Sequence, residues 1–373
     1  MNSQNFTKDS KTQQTLQSEL SKAGKPELAR ELMDVQTQND GFESTQPRIV
    51  RDSDKDSTLG VNISVILAKF QQYQEKIMND TRLERELNLF VEPLTIYHDD
   101  TTGENQLLEL SYEIAKQFLT SHISKDPKIL LLTGQMGTGK SFFCQHLQKE
   151  ILSNWHQNPE PNYENWFPIY VELSSLKNPK SNAIAETLAR ELLLTEDEIS
   201  LLRTTAQSNL KLPRLLFIFD GYDEIEDIHA FHARNSKEEL VKHNFFELNK
   251  IHEESWKNAK FIITCRKENL QKVRRRDLLF GPLDGESDKQ AIKPNSFLER
   301  TIKPFLDKQI TRYLKLYCYF TQMDLLPADP SDESKSTTPV SSWFQVEALE
   351  KMIDNYHLRE IARVPFMLCI ICQ

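Results

Sequence analysis

The sequence predicts an α/β fold, a parallel sheet covered by helices on both faces. Three observations carry this. Four short β-type runs, at residues 128–132, 168–173, 215–219 and 260–264, are nearly continuously apolar. Helical stretches separate them, at 142–155, 183–194, 196–205 and 245–255. The first run feeds directly into a glycine-rich loop and then a helix. Strands buried on both faces read as unbroken apolar runs, and parallel neighbours need helical crossovers between them. A fifth, weaker strand is expected near residues 299–302.

The flanking regions differ in character. Residues 1–60 are rich in Gln, Ser, Asn, Asp and Lys and poor in aromatics, so they cannot bury enough surface to offset chain entropy and are expected to be disordered. Within them, residues 15–35 have leucines at helical spacing, broken into two short amphipathic pieces at Gly24-Lys25-Pro26. Residues 61–122 read as a helical lead-in: Val65, Ile66, Phe70, Tyr73, Ile77 and Met78 recur at three- and four-residue intervals, and residues 104–121 repeat that period. Residues 123–306 form the expected core. Helical spacing returns over 308–320, where Tyr313, Tyr317 and Phe320 make a packing face, and again over 343–355 and from 358 to the end. A low-complexity linker at 325–342 interrupts this last region, 307–373. No internal repeat of 20 to 50 residues is present.

Composition excludes several classes. A chain of 373 residues suggests two to three folding units, and a net charge of −9 argues against a protein that coats nucleic acid. The basic run from Lys272 to Arg276 reads as solvated surface, as do the scattered histidines His229, His232 and His243. No apolar run approaches the ~20 residues that span a bilayer, and the polar N-terminus has no signal-peptide core. Five cysteines form no disulfide framework. Cys369 and Cys372 are formally a CxxC pair but read as thiols buried on a helix. The expected setting is reducing and cytoplasmic, or a host cytosol reached by a non-classical route.

The loop carries the chemistry. Residues 134–141, GQMGTGKS, fit GxxxxGK[ST]. Gly134, Gly137 and Gly139 permit tight turns that aim successive backbone N–H groups, Thr138's among them, at phosphate oxygens. The following helix adds its N-terminal dipole. Lys140 is the candidate partner of the β- and γ-phosphates, and the Ser141 hydroxyl a ligand of Mg²⁺. This predicts binding of a nucleoside triphosphate.

The third apolar run ends in Asp220-Gly221-Tyr222-Asp223-Glu224. A carboxylate at the C-terminal tip of a buried strand sits where ligands bind in open α/β sheets, so Asp220 is a candidate to hold Mg²⁺. Glu224 and Asp223 lie beyond it as candidate general bases toward an attacking water. The next strand ends in Cys265-Arg266, and Arg266 at its tip is a candidate γ-phosphate contact.

Together GQMGTGKS, LLFIFDGYDE and KFIITCRK resemble the NACHT family of STAND-class signalling ATPases, with Asp-Gly-x-Asp-Glu the discriminating piece. The segment from Ile361 through Pro365 to Cys369 looks like the family's small-helical-domain motif, whose proline packs on adenine. Phe90-Val91-Glu92-Pro93-Leu94 looks like its lead-in. The resemblance implies a three-layer P-loop NTPase with strand order 5-1-4-3-2 followed by a small helical domain. It implies ATP/ADP and Mg²⁺ held by Lys140, Ser141 and Asp220, Arg266 as sensor, Glu224 with Asp223 promoting slow hydrolysis, and Pro365 at the base. It also implies a switch that is ADP-locked at rest and, with ATP, forms a homo-oligomer or engages a partner protein.

The family normally continues into a winged-helix domain and a repeat sensor, whereas this sequence stops at Gln373, so a minimal member, a fragment or a partner-dependent chain is expected. The alternatives are a nucleotide-binding scaffold without turnover and an AAA-type remodelling ATPase, for which Arg312 and Arg363 are available. A GTPase is disfavoured, since no Asn-Lys-x-Asp segment appears.

Overall fold

The computed structural model describes residues 63–98, 105–119, 127–155, 166–205, 212–225, 244–251, 256, 258–270, 277–281, 297–324 and 346–373. The N-terminal tail with its amphipathic pieces, the Lys272–Arg276 run, His229, His232, His243 and the 325–342 linker lie outside the described residues.

The lead-in begins with helices α1 (Ile63–Met78) and α2 (Thr81–Leu87). They separate at Asp80, whose carboxylate accepts the N–H groups of Arg82 and Leu83, each at 3.0 Å, and so caps α2. Strands β1 (Leu94–His98) and β2 (Asn105–Glu109) then pair antiparallel. This corrects the helix expected over 104–121. Only its second half is helical, as α3 (Leu110–Glu113) and a π-helical turn, Ile114–Leu119, that buries Leu110, Ile114 and Phe118 on one side. The helical period starts at Leu110; upstream of it, pairing with β1 overrides local preference.

The core follows as β3 (Ile129–Gly134), α4 (Lys140–Trp155), β4 (Trp166–Glu172), α5 (Ala183–Glu191), α6 (Glu196–Thr205), β5 (Arg214–Asp220), α7 (Phe245–Leu248), β6 (Lys260–Arg266), α8 (Lys267–Leu270), α9 (Asp277–Phe280) and β7 (Phe297–Thr301). The sheet is parallel, in the order β4-β5-β6-β3-β7. Numbered from the phosphate-loop strand, that is 5-1-4-3-2, as the resemblance implies. The helix expected over 245–255 is a single turn among the described residues, α7, closed by Asn249 and by Lys250 at φ 55°.

Alternation along each strand makes the three layers. Ile129, Leu131, Phe217, Phe219, Phe261 and Ile263 pack on one face with side chains from α1, α5 and α6. Leu130, Leu132, Leu216, Ile218 and Ile262 pack on the other with Phe143, Cys144 and Leu147 of α4 and with the α3 region. Side chains alternate between faces at every step of a strand, so a strand wanted on both sides is apolar throughout.

Both sheet edges are covered. At the β4 edge the outward backbone N–H of Tyr170 donates to the Tyr73 hydroxyl of α1 at 3.2 Å. Two residues earlier on the same edge stands Pro168, which has no N–H to leave unpaired. At the β7 edge the β1–β2 pair attaches through a bridge between Thr95 and Ile302, and the Thr95 hydroxyl donates to the Thr301 carbonyl at 3.2 Å.

The chain continues as α10 (Asp307–Asp324), α11 (Val346–Asn355), α12 (Arg359–Ala362) and α13 (Pro365–Cys372). They share a separate apolar cluster of Ile310, Leu314, Leu349, Ile353, Ala362 and Leu368 with Val91 and Phe305. The helix expected from 358 onward is broken before Pro365, which takes the first position of α13, where its missing N–H costs nothing.

Candidate functional site

A cavity of about 590 Å³ opens at the carboxyl ends of β5 and β6 and over the loop that follows β3. Its wall has two characters. Gly137 to Ser141, Asp220, Asp223, Glu224, Thr264 and Arg266 form a polar part; Phe90, Val91, Pro93, Phe305, Tyr313, Pro365 and Phe366 form an apolar one. Every residue singled out for binding or catalysis from the sequence lines this space except Gly134, which sits buried at the β3 tip.

The loop is set by backbone geometry. Gly137 and Gly139 have φ of 76° and 90°, a region that strains any residue with a Cβ. Gly137 is also crowded: a Cβ there would stand 3.0 Å from Val364 and 3.1 Å from Phe366. The Phe366 N–H donates to the Gly137 carbonyl at 3.2 Å, so α13 is hydrogen-bonded to the loop. The Lys140 ammonium donates to the carbonyls of Gly134 at 2.9 Å and Gln135 at 2.8 Å. Burial pulls its pKa below the usual lysine range, while Asp223 and Asp220 act the other way. Ser141 is exposed at the start of α4.

At the acidic strand end the three carboxylates are treated differently. Asp220 is buried, and each of its oxygens accepts a hydroxyl: Oδ1 from Thr264 on β6 and Oδ2 from Tyr170 on β4, the latter at 3.0 Å. The Thr264 oxygen in turn accepts the Gly221 N–H at 2.9 Å. Asp223 is 3% exposed and fully engaged. It accepts the Arg266 backbone N–H at 2.8 Å and the Asn269 amide at 3.1 Å, and it pairs with the Arg266 Nε at 3.1 Å. Glu224 is exposed, with a single contact to Arg266 Nη2 at 3.2 Å.

On the apolar side, Phe90 stacks on His146 of α4 with centroids 3.6 Å apart. Tyr313 is buried there and stacks on Tyr317 at 6.5 Å. Cys369 is half-buried and lines the cavity, while Cys372 is buried and its thiol is pushed up to about 12 by burial. Arg363 of the remodelling alternative pairs with Asp307 at 3.3 Å and Glu360 at 3.2 Å, and it bonds the Phe305 carbonyl at 3.3 Å.

Three polar residues in this network escape sequence reasoning: Tyr170, Thr264 and Asn269. Thr264 leaves a trace, a polar residue ending an apolar strand run. Tyr170 and Asn269 leave none, because their partners come from other elements.

A divalent cation suits the donor set. Asp220 and Ser141 offer hard oxygens, and each Asp220 oxygen keeps a lone pair beyond the one its hydroxyl partner uses. Among the described residues no cluster of three or more His, Cys, Asp or Glu forms a self-sufficient metal cage. A cation held here would complete its shell with water or phosphate oxygens.

Residues 128–315 match the NACHT domain. A 119-residue stretch is 34% identical to the NACHT, LRR and PYD domains-containing protein 1 homolog of Danio rerio; that is 31% of this chain and 8% of the relative, so the chain spans a small part of that protein's length. Among solved structures, the ORC2 protein of Aeropyrum pernix in ADPNP–ADP complexes aligns at TM-score 0.33 and 10% identity, covering 65% of this chain and 54% of that one. AMPPCP-bound DnaA from Aquifex aeolicus aligns at 0.28 and 16%, covering 66% and 61%. No helix among the described residues is long and apolar enough to cross a membrane. With the domain match spanning half of the sequence, the phosphate loop and the Asp220 strand end inside it, the chain belongs to the NACHT family of nucleotide-binding P-loop NTPases.

Proposed function

We propose that this protein is an ATP/ADP-binding signalling switch of the STAND class, which hydrolyses ATP slowly with Mg²⁺ and assembles in response to the bound nucleotide. The observation that carries it is the two-character cavity, whose polar wall fits phosphates and whose apolar wall fits a base. The loop N–H groups and Lys140 hold the phosphates. Asp220 and Ser141 hold Mg²⁺, which when bound neutralises charge developing on the phosphate oxygens. Pro365 and the apolar residues beside it take adenine.

Glu224 is the base. It is the carboxylate of the three with a free approach to solvent, and it orients and deprotonates the water that attacks the γ-phosphorus, releasing ADP and phosphate. Asp223 acts at one remove: both its oxygens are occupied in fixing Arg266, which faces the γ-phosphate. We assign residues 61–122 to a lead-in, 123–306 to the nucleotide-binding core and 307–373 to the start of a helical domain, whose helices build an apolar cluster separate from the two that flank the sheet. The setting is cytoplasmic.

The test is to purify the full chain, denature it and identify the released nucleotide, then add Mg-ATP to native protein and follow both phosphate release and particle size. Co-purified ADP, slow phosphate release and growth on ATP support the switch. Tight binding with no phosphate release points instead to a scaffold, and absence of any nucleotide affinity refutes the site.

A further inference from the structure

The metal-facing carboxylate is held by a residue outside every nucleotide-binding motif. Tyr170 on β4 is in register with Ile218 of β5, and Asp220 lies two residues beyond Ile218. A two-residue step returns a side chain to the same face, so the phenol and the carboxylate are diagonal neighbours on the α4 side of the sheet. The phenol donates to Asp220 Oδ2 at 3.0 Å, while Thr264 from the opposite neighbouring strand donates to Oδ1.

The competing charge is the Lys140 ammonium, which lines the same cavity and acts electrostatically on Asp223 and Asp220. An aspartate free to swing toward that cation would surrender the oxygens a metal needs. The two hydroxyls prevent the swing with neutral donors, so the negative charge is retained and a lone pair on each oxygen stays available. The backbone of Tyr170 is itself fixed, since its N–H donates to Tyr73 of α1 at 3.2 Å, and the Tyr73 hydroxyl also receives the Gln148 amide at 2.6 Å.

We propose that Tyr170 is a positioning residue for the cation: its hydroxyl fixes the rotamer in which Asp220 serves Mg²⁺ bound with nucleotide. This rests on the reading of Asp220 as the metal-facing carboxylate. The test titrates Mg²⁺ into full-length protein with a fluorescent ATP analogue, for wild type, Tyr170→Phe and Asp220→Asn, with EDTA as the zero point and a thermal melt of each.

Tyr170→Phe keeps wild-type affinity in EDTA, and the Mg²⁺ concentration at half-effect rises about tenfold, the usual scale for losing a partner that orients a metal ligand. Asp220→Asn loses the Mg²⁺ response. If Tyr170→Phe overlays wild type in Mg²⁺, or lowers only the melting temperature, while Asp220→Asn is defective, Tyr170 has no positioning role and the reading of Asp220 stands. If Asp220→Asn also overlays wild type, both are overturned.

Discussion

The N–H of Phe366 donates to the carbonyl of Gly137 at 3.2 Å, which joins the first turn of α13 to the middle of the phosphate loop. The two residues lie far apart in sequence, yet their contact crowds the place where a side chain at Gly137 would stand. Whatever displaces this stretch of loop backbone must move α13 or break that bond.

Gly137→Ala tests the joint. The substitution imposes a Cβ at φ 76° and drives it against Val364 and Phe366. The left-handed conformation alone costs a residue with a Cβ about 1–2 kcal/mol. The expected outcome is a lower melting temperature together with weaker ATP binding, read by thermal unfolding with and without nucleotide. A variant as stable as wild type would show that the loop and α13 separate freely.

Lys140→Ala removes the cation of the phosphate site. Charge-assisted hydrogen bonds contribute about 1.5–3 kcal/mol, so ATP affinity is expected to fall roughly 10- to 100-fold in a direct binding titration. Because the ammonium is partly buried at a desolvation cost, the apo protein should unfold no earlier than wild type.

Glu224→Gln separates binding from turnover. The side chain is exposed and among the described residues bonds Arg266 alone, at 3.2 Å, so the amide keeps the fold and the nucleotide. Single-turnover phosphate release is expected to slow by about 10²-fold or more, the scale of a positioned general base. Unaltered release would move the base elsewhere.

His146 gives a pH signature. Burial lowers its pKa beneath the ordinary 6.5 while it stacks under Phe90, a cavity residue. The unfolded chain therefore takes up the proton first as pH falls. Stability is full above about 6.5 and is lost progressively as pH drops toward the lowered value. His146→Gln should flatten this limb in melts between pH 7.5 and 5.5; an identical slope would assign the limb to other groups.

Much of this architecture is legible in the sequence because it rests on local patterns. The four apolar runs are strands, and the spacing of GQMGTGKS places its glycines at the positive-φ positions observed for Gly137 and Gly139. What the sequence hides depends on distant partners. Strand β2 reads as helical because Leu107, Leu108 and Leu110 fit a helical stripe as readily as a strand entering a helix. Asp223 and Glu224 look equivalent side by side, and only the fold reveals that Arg266 and Asn269 engage both oxygens of the first, whereas the second is exposed and meets only the Arg266 Nη2 among the described residues. Tyr170 resembles any strand tyrosine until β5 brings Asp220 beside it.

The cover on the β4 edge reaches beyond the family boundary. The matched stretch starts at Lys128, but Tyr73 and Phe70, which precede it, complete the core and engage the outer backbone of that strand. The β1–β2 pair does the same at the far edge through Thr95. A recombinant fragment trimmed to residues 128–315 thus loses both guards at once, leaving open strand backbone that a second copy can zip onto. A fragment that keeps both edges covered therefore has to include α1 and the β1–β2 pair.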